Sequence, residues 1–225
     1  MEAVHLTKSP HALGRTLCFV CFLYLAWIAA WVLERTSEPR AALLGTGGGR
    51  FAYWTVTKLL LWVLPAGLLL RISGHRLRDT LGLGRGRAIL LWGGGAGLLF
   101  AVSALIANVI AHRPLFAPQW AWPFVGGVVI APVVEEFTFR GAVLHTLLAR
   151  YRFLVANTLT TIFFLGIHLP GWYFQGRLCA MLRQPVGGAL SILFIGWVLG
   201  LVAYKSKSVA ASTLTHVLNN LFSSS

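Results

Sequence analysis

Pro132-Val133-Val134-Glu135-Glu136-Phe137-Thr138-Phe139-Arg140 sets two adjacent carboxylates and an arginine inside an apolar run. A charge at the centre of a membrane helix is disfavoured by about 3 kcal/mol on insertion scales, so such residues face a protein interior and mark function. Read as a helix, the stretch places Glu136 and Arg140 four apart on one face, acid first, which is the favourable order for an ion pair. Glu135 then points about 100° away and has no helical partner of its own. The local geometry supplies one neutralised acid and one left over.

Outward from this stretch the chain stays apolar. Of its 225 residues, 57% are hydrophobic and 11% charged, whereas a soluble domain carries about 25% charged residues. Apolar runs at about 16–33, 51–70, 88–110, 123–149, 153–168, 185–204 and 209–222 suit membrane helices of about 20 residues. The reading is an all-α, polytopic integral membrane helix bundle of about seven transmembrane helices (six to eight), with 1–225 as a single membrane domain. More apolar runs follow the first, so it is kept as a membrane helix and not a signal peptide. The last run is short for a full span and reads as re-entrant or tilted.

The net charge of +13 raises the question of nucleic acid. The basic residues, however, fall in short segments between apolar runs, where they orient a membrane protein. No nucleic-acid partner is expected, while anionic lipid is, since each basic residue near such a surface contributes about 1 kcal/mol. Segments 1–15, 71–87, 150–152 and 205–207 hold eleven of the nineteen Lys and Arg, against six in 34–50, 112–122 and 169–184. That bias places the amino terminus in the cytoplasm.

The connectors carry their own signals. Gly45-Thr46-Gly47-Gly48-Gly49 lacks the Gly-Lys-Ser/Thr ending of a phosphate loop and reads as a flexible connector. Trp120, Trp122 and Pro123, and again Trp172 and Tyr173, read as interfacial anchors. The fifth run is expected to stop at Pro170-Gly171. Gly93 to Gly97, and Gly196 with Gly200, form small-residue surfaces that let another helix approach closely. Cys18, Cys21 and Cys179 read as small packing residues with no disulfide framework. His75 and His145 lack matching partners and read as interfacial or solvated.

Two further runs carry polar stripes. Asn157, Thr161, Phe164 and His168 recur at 4, 3 and 4 residues, and Ser212, His216 and Asn220 recur every fourth, so each set lines one helix face. Three helices each bearing a Glu or His stripe suggest one shared polar chamber. A carboxylate there, held with a His, could deprotonate water for attack on a peptide carbonyl. A second His, with an Asn one turn away, could donate to the oxyanion that forms. Alternatively, Glu and His side chains could bind a divalent metal such as zinc. The H-E-x-x-H signature is absent, and spacing alone leaves metal-free and metal-assisted hydrolysis both open.

Glu135-Glu136-x-x-x-Arg140, Phe164-x-x-x-His168 and His216-x-x-x-Asn220 together resemble the three signature motifs of the CPBP family, the CAAX prenyl endopeptidases and bacteriocin-processing intramembrane proteases. The resemblance covers about 123–222 and makes that segment the expected catalytic core. Asp79-Thr80-Leu81-Gly82-Leu83 is also similar to a segment such proteins carry before it. The resemblance implies that Glu135 activates water with His168, and that His216 and Asn220 stabilise the oxyanion. Glu136, Arg140 and Phe164 would support the site structurally, with no resident cofactor expected. The implied activity is an intramembrane endopeptidase cutting near the terminus of a membrane-associated protein or peptide, such as a carboxyl-terminal sorting tail. The compact, Arg- and Trp-rich composition fits a bacterial inner membrane. The rival readings are a proton-coupled transporter relaying through Glu135, His168 and His216, and a non-enzymatic immunity or binding factor.

Overall fold

The computed structural model describes residues 10–38, 41–112, 114 and 121–223. Among them the regular structure is all helical: α1 (Ala12–Ser37), α2 (Gly47–Ile72), α3 (Leu77–Leu81), α4 (86–110), α5 (122–148), α6 (Phe153–Phe174), α7 (Leu178–Arg183), α8 (Ala189–Ser206) and α9 (Val209–Ser223), with a 3-10 turn at Ala42–Gly45. Five helical stretches are long and apolar enough to cross a membrane: α1, α2, Leu77–Ile110 with α4, α6 and α8. Leu25, Leu60, Leu99 and Phe194 point outward from them, as lipid-facing residues must. The protein is an integral membrane helix bundle.

Several spans contain a wide, π-type turn: Leu59–Val63 in α2, Ile89–Gly94 in α4, and Gly126–Ile130 with Phe137–Leu144 in α5. Two have a local cause. Proline offers no N–H to the carbonyl four residues back and its ring clashes there. Pro65 does this to Leu61 and Pro132 to Val128, and the ladder widens just before each proline instead of breaking. Lys58 is the last residue before the first wide turn, and Glu135 follows Pro132 by three.

The core is aromatic. Trp27 of α1 packs on Trp62 of α2 with ring centroids 4.8 Å apart, and Trp62 meets Phe139 of α5 at 6.2 Å. Phe139 in turn meets Phe164 of α6 at 5.2 Å. Close helix crossings rest on the expected glycines. A Cβ on Gly93 would lie 2.5 Å from the carbonyl oxygen of Ala211, and one on Gly97 2.4 Å from Leu218, so α9 seats on α4. Thr215 Oγ1 donates to the Gly93 carbonyl at 3.0 Å across that crossing. On α8, Gly200 faces the Asn157 amide of α6, and Gly196 faces Phe164, Thr161 and Arg140.

The basic connectors gather at one end of the bundle. Arg15 donates to the Ile72 carbonyl at 2.9 Å, and Ser208 Oγ to that of Leu81 at 3.0 Å. Arg150 reaches the Pro10 carbonyl at 3.5 Å. The opposite end carries an ion cluster. Arg50 lies 3.5 Å from the buried Glu34 and also pairs with Glu38, while Arg35 donates to the Phe174 carbonyl at 2.9 Å.

Several expectations need correction. The glycines at 47–49 begin α2 instead of forming a flexible connector, because Thr46 caps the helix by accepting from the Gly49 N–H at 3.0 Å. Side chains are excluded at Gly49, where a Cβ would fall 1.9 Å from the Leu43 carbonyl oxygen. The fifth run does not stop at Pro170: the helix bends at Ile167 and resumes as His168–Phe174, which places Pro170 in a first turn, where its missing N–H costs nothing. The connector at 169–184 is accordingly mostly helical. His75 and His145 face each other with ring centroids 5.8 Å apart, and His145 Nδ1 donates to the Arg140 carbonyl at 2.8 Å. Trp122 stands exposed against Phe51, at 5.1 Å; Lys8, Arg40, Arg113 and Trp120 lie outside the described residues. Cys18, Cys21 and Cys179 are free and exposed, so none of them packs inside.

Candidate active site

α5 delivers both acids near its middle, and their environments differ. Glu136 is fully buried; its Oε1 accepts from Arg140 Nη1 at 2.8 Å and from His216 Nδ1 at 3.0 Å. The i,i+4 pair expected from the sequence is present. Arg140 is also fully buried and is satisfied further from α8 and α6: Nη2 donates to the Gly196 carbonyl at 2.7 Å, and the guanidinium lies 4.4 Å from the Phe164 ring centre. The lack of a side chain at Gly196 lets α8 bring that carbonyl within reach.

Glu135 is 9% exposed. The sequence reading left it without a helical partner, but the tertiary structure supplies one from another helix. Lys58 Nζ of α2 lies 3.9 Å from Glu135 Oε1, an ion pair too long for a direct hydrogen bond. Lys58 is the site residue that sequence reasoning missed. Its available signal was a lone lysine inside an apolar run, the same signal that singled out Glu135.

His168 sits at the bend of α6. Its Nδ1 approaches the Phe164 carbonyl at 2.7 Å, and a carbonyl can only accept, so Nδ1 carries the proton. In the neutral ring, Nε2 is therefore a bare acceptor. His168 also lies within electrostatic reach of Glu135, His216 and Lys58. Phe164 is the wall between the two imidazoles, with its ring 4.9 Å from His168 and 6.1 Å from His216. Its place in the second sequence motif thus has a packing reason.

His216 is nearly buried on α9 and directs Nδ1–H at Glu136. One turn on, Asn220 Nδ2 donates to the Gly127 carbonyl at 2.9 Å, and its Oδ1 accepts from Asn219 at 3.0 Å. Gly127 belongs to the wide turn before Pro132, so Asn220 ties the end of α9 to the helix that carries the acids. Among the described residues, no three His, Cys, Asp or Glu side chains are arranged around one metal position.

The structure therefore brings Glu135, Glu136, Arg140, Phe164, His168 and His216 into one cluster, with Asn220 at its edge and Lys58 added from the amino-terminal half. In chemical terms it offers a carboxylate with unfilled lone pairs, an imidazole with an outward Nε2, and a second imidazole held against an anion. Comparison with curated proteins and with solved structures yields no significant match. Comparison with family models matches residues 117–222 to the family described as type II CAAX prenyl endopeptidase, Rce1-like. That span contains all three sequence motifs, α5 to α8 and all but the last residue of α9. Residues 117–222 of this integral membrane protein are thus similar to the Rce1-like CAAX protease family, a family of peptidases that act on membrane-associated proteins or peptides.

Proposed function

We propose that this protein is a glutamate-dependent intramembrane endopeptidase that hydrolyses a peptide bond near the terminus of a membrane-anchored protein or peptide. The observation that carries the reading is the different fate of the two adjacent acids: Glu136 is bound at 2.8 and 3.0 Å, while the ion pair Glu135 makes among the described residues is 3.9 Å long. Glu135 retains some exposure and can meet water, whereas Glu136 is fully buried with its Oε1 holding Arg140 and His216.

In this reading water sits between Glu135 and His168. Glu135 removes its proton as the oxygen attacks the peptide carbonyl carbon, and His168, its tautomer set by Phe164, accepts a hydrogen bond from the water and orients it. The carbonyl π electrons pass to oxygen. His216 as imidazolium, held against Glu136, donates Nε2–H to that oxyanion, and Asn220 assists. As the tetrahedral intermediate collapses, the C–N bond breaks and the proton held by Glu135 passes to the leaving amine. One water is consumed, and a carboxylic acid and an amine are produced. Glu136 and Arg140 position His216 and do not touch the substrate. Phe164 supports both imidazoles.

The catalytic core is assigned to 123–222 within a single membrane domain of 1–225. A carboxyl-terminal sorting tail suits a site inside the helix bundle, because such tails follow a membrane segment. The gathered basic connectors support a reading in which that end of the bundle faces the cytoplasm of a bacterial inner membrane, against anionic lipid. The test compares termini in the host membrane proteome for wild type and Glu135→Gln at equal expression. A terminus trimmed only by wild type supports proteolysis and identifies the substrate. Unchanged termini together with altered proton-coupled flux would replace the protease reading with transport.

A further inference from the structure

Between α1 and α2, at the end of the bundle where the basic connectors gather, lies an apolar groove of about 850 Å³. That is within the range of about 300–1,000 Å³ typical of small-molecule sites. Buried Phe19 and Leu69 form its floor, and exposed Phe22, Leu64 and Leu68 form its walls. Gly14 keeps it open, since a Cβ there would have nothing within 4 Å. The lining runs along α1 from Gly14 to Phe22 and returns along α2 from Leu64 to Ile72, about 12 Å of helix in each case. One leaflet of a bilayer core is about 15 Å deep, so the groove matches a single leaflet.

Its two ends differ in chemistry. Phe22 and Leu64 close the deep end, while Arg15 stands at the mouth, where Nη1 donates to the Ile72 carbonyl at 2.9 Å. A guanidinium has five N–H donors, and among the described residues that carbonyl is the one hydrogen-bond partner of Arg15. Arg150 brings a second guanidinium to the same mouth, with Nη1 3.5 Å from the carbonyl of Pro10, another lining residue. Among the described residues no carboxylate pairs with either arginine, and no Asp or Glu lines the groove. A soluble anion would meet the arginines and leave the apolar walls uncovered. A molecule that is apolar for the depth of one leaflet and anionic at its head covers both.

We propose that this groove binds one anionic phospholipid, with an acyl chain along α1 and α2 and its phosphate on Arg15 and Arg150, whose planar guanidinium groups match phosphate oxygens. Apart from Arg150 the site precedes residues 117–222, and it is independent of the peptidase reading. The test is native mass spectrometry of the purified full-length protein, titrated in detergent with phosphatidylglycerol or with phosphatidylcholine of the same acyl chains. Wild type is expected to hold one phosphatidylglycerol about tenfold or more tighter than phosphatidylcholine, whose choline cation meets the two arginines. Arg15→Gln and Arg150→Gln each lower that preference about fivefold. Gly14→Leu, which fills the groove, weakens the binding of both lipids. Arg150→Gln and Gly14→Leu carry the test if Arg15→Gln, which gives up the bond to Ile72, does not fold. Equal affinity of wild type for the two lipids, or binding unchanged in the variants, overturns the proposal. A palmitoylated peptide without phosphate that binds more tightly than phosphatidylglycerol also overturns it, and makes the groove a seat for a lipid anchor.

Discussion

His216 and Glu136, eighty residues apart in the chain, meet at 3.0 Å between Nδ1 and Oε1 inside the bundle. The same carboxylate oxygen holds Arg140 at 2.8 Å, and Arg140 holds the Gly196 carbonyl. Three helices are therefore joined through one buried anion, and the ring that faces the proposed oxyanion takes its orientation from it.

Removing that anion leaves the guanidinium buried against a carbonyl and an aromatic face. Glu136→Ala is expected to destabilise the fold by about 3–5 kcal/mol, because an uncompensated buried charge is the costly outcome. Glu136→Leu with Arg140→Met, which removes both charges, should recover most of the loss. Denaturation in mixed micelles compares the two.

Glu135→Gln and His168→Gln act on chemistry and not on that network. Each should lower the rate of terminal trimming by about 10²–10⁴-fold, the range associated with a general base, while the thermal unfolding midpoint stays much closer to wild type than that of Glu136→Ala. The measurement is the trimmed fraction against time in membranes, with equal protein content confirmed by blot.

Two neighbouring glycines separate packing from propensity. Gly93→Ala forces a methyl to within 2.5 Å of the Ala211 carbonyl oxygen and 2.9 Å of its Cα, both backbone atoms that cannot yield locally. A loss of about 1–3 kcal/mol from overpacking is expected. Gly94→Ala meets nothing within 4 Å and should be neutral or gain up to about 1 kcal/mol from helix propensity. Equal effects at both sites would mean that α9 does not seat on α4 as described.

His75 lies in the connector between α2 and α3, outside the spans. Burial holds its proton affinity below the ordinary value of 6.5, and the neighbouring His145 lowers it further. The unfolded chain therefore binds this proton before the folded one does, and stability rises with pH through that window. Acidification below about pH 6.5 should lower the unfolding midpoint of wild type. His75→Gln, which cannot titrate, should show a smaller fall over pH 7.5 to 5.5.

Short-range regularities were legible in the chain. Run lengths showed membrane helices, the four-residue spacing showed the Glu136–Arg140 pair, and the stripe of Phe164 and His168 with that of His216 and Asn220 showed which faces turn inward. Each depends on the period of a helix, which residue order alone sets. Helix ends were less legible: α2 begins in glycines because Thr46 caps it, and α6 passes Pro170 because the helix restarts at His168.

What only the tertiary structure decided is the pairing across helices. The order of residues made Glu135 the unpartnered acid; the fold set Lys58 3.9 Å from it. The order of residues left His75 and His145 separate; the fold faced them at 5.8 Å. Local sequence determined which side chains share a face, because that needs only 3.6 residues per turn. Which faces meet depends on where glycines let helices close, as at Gly93, Gly97, Gly196 and Gly200, and that is settled only when the whole bundle packs.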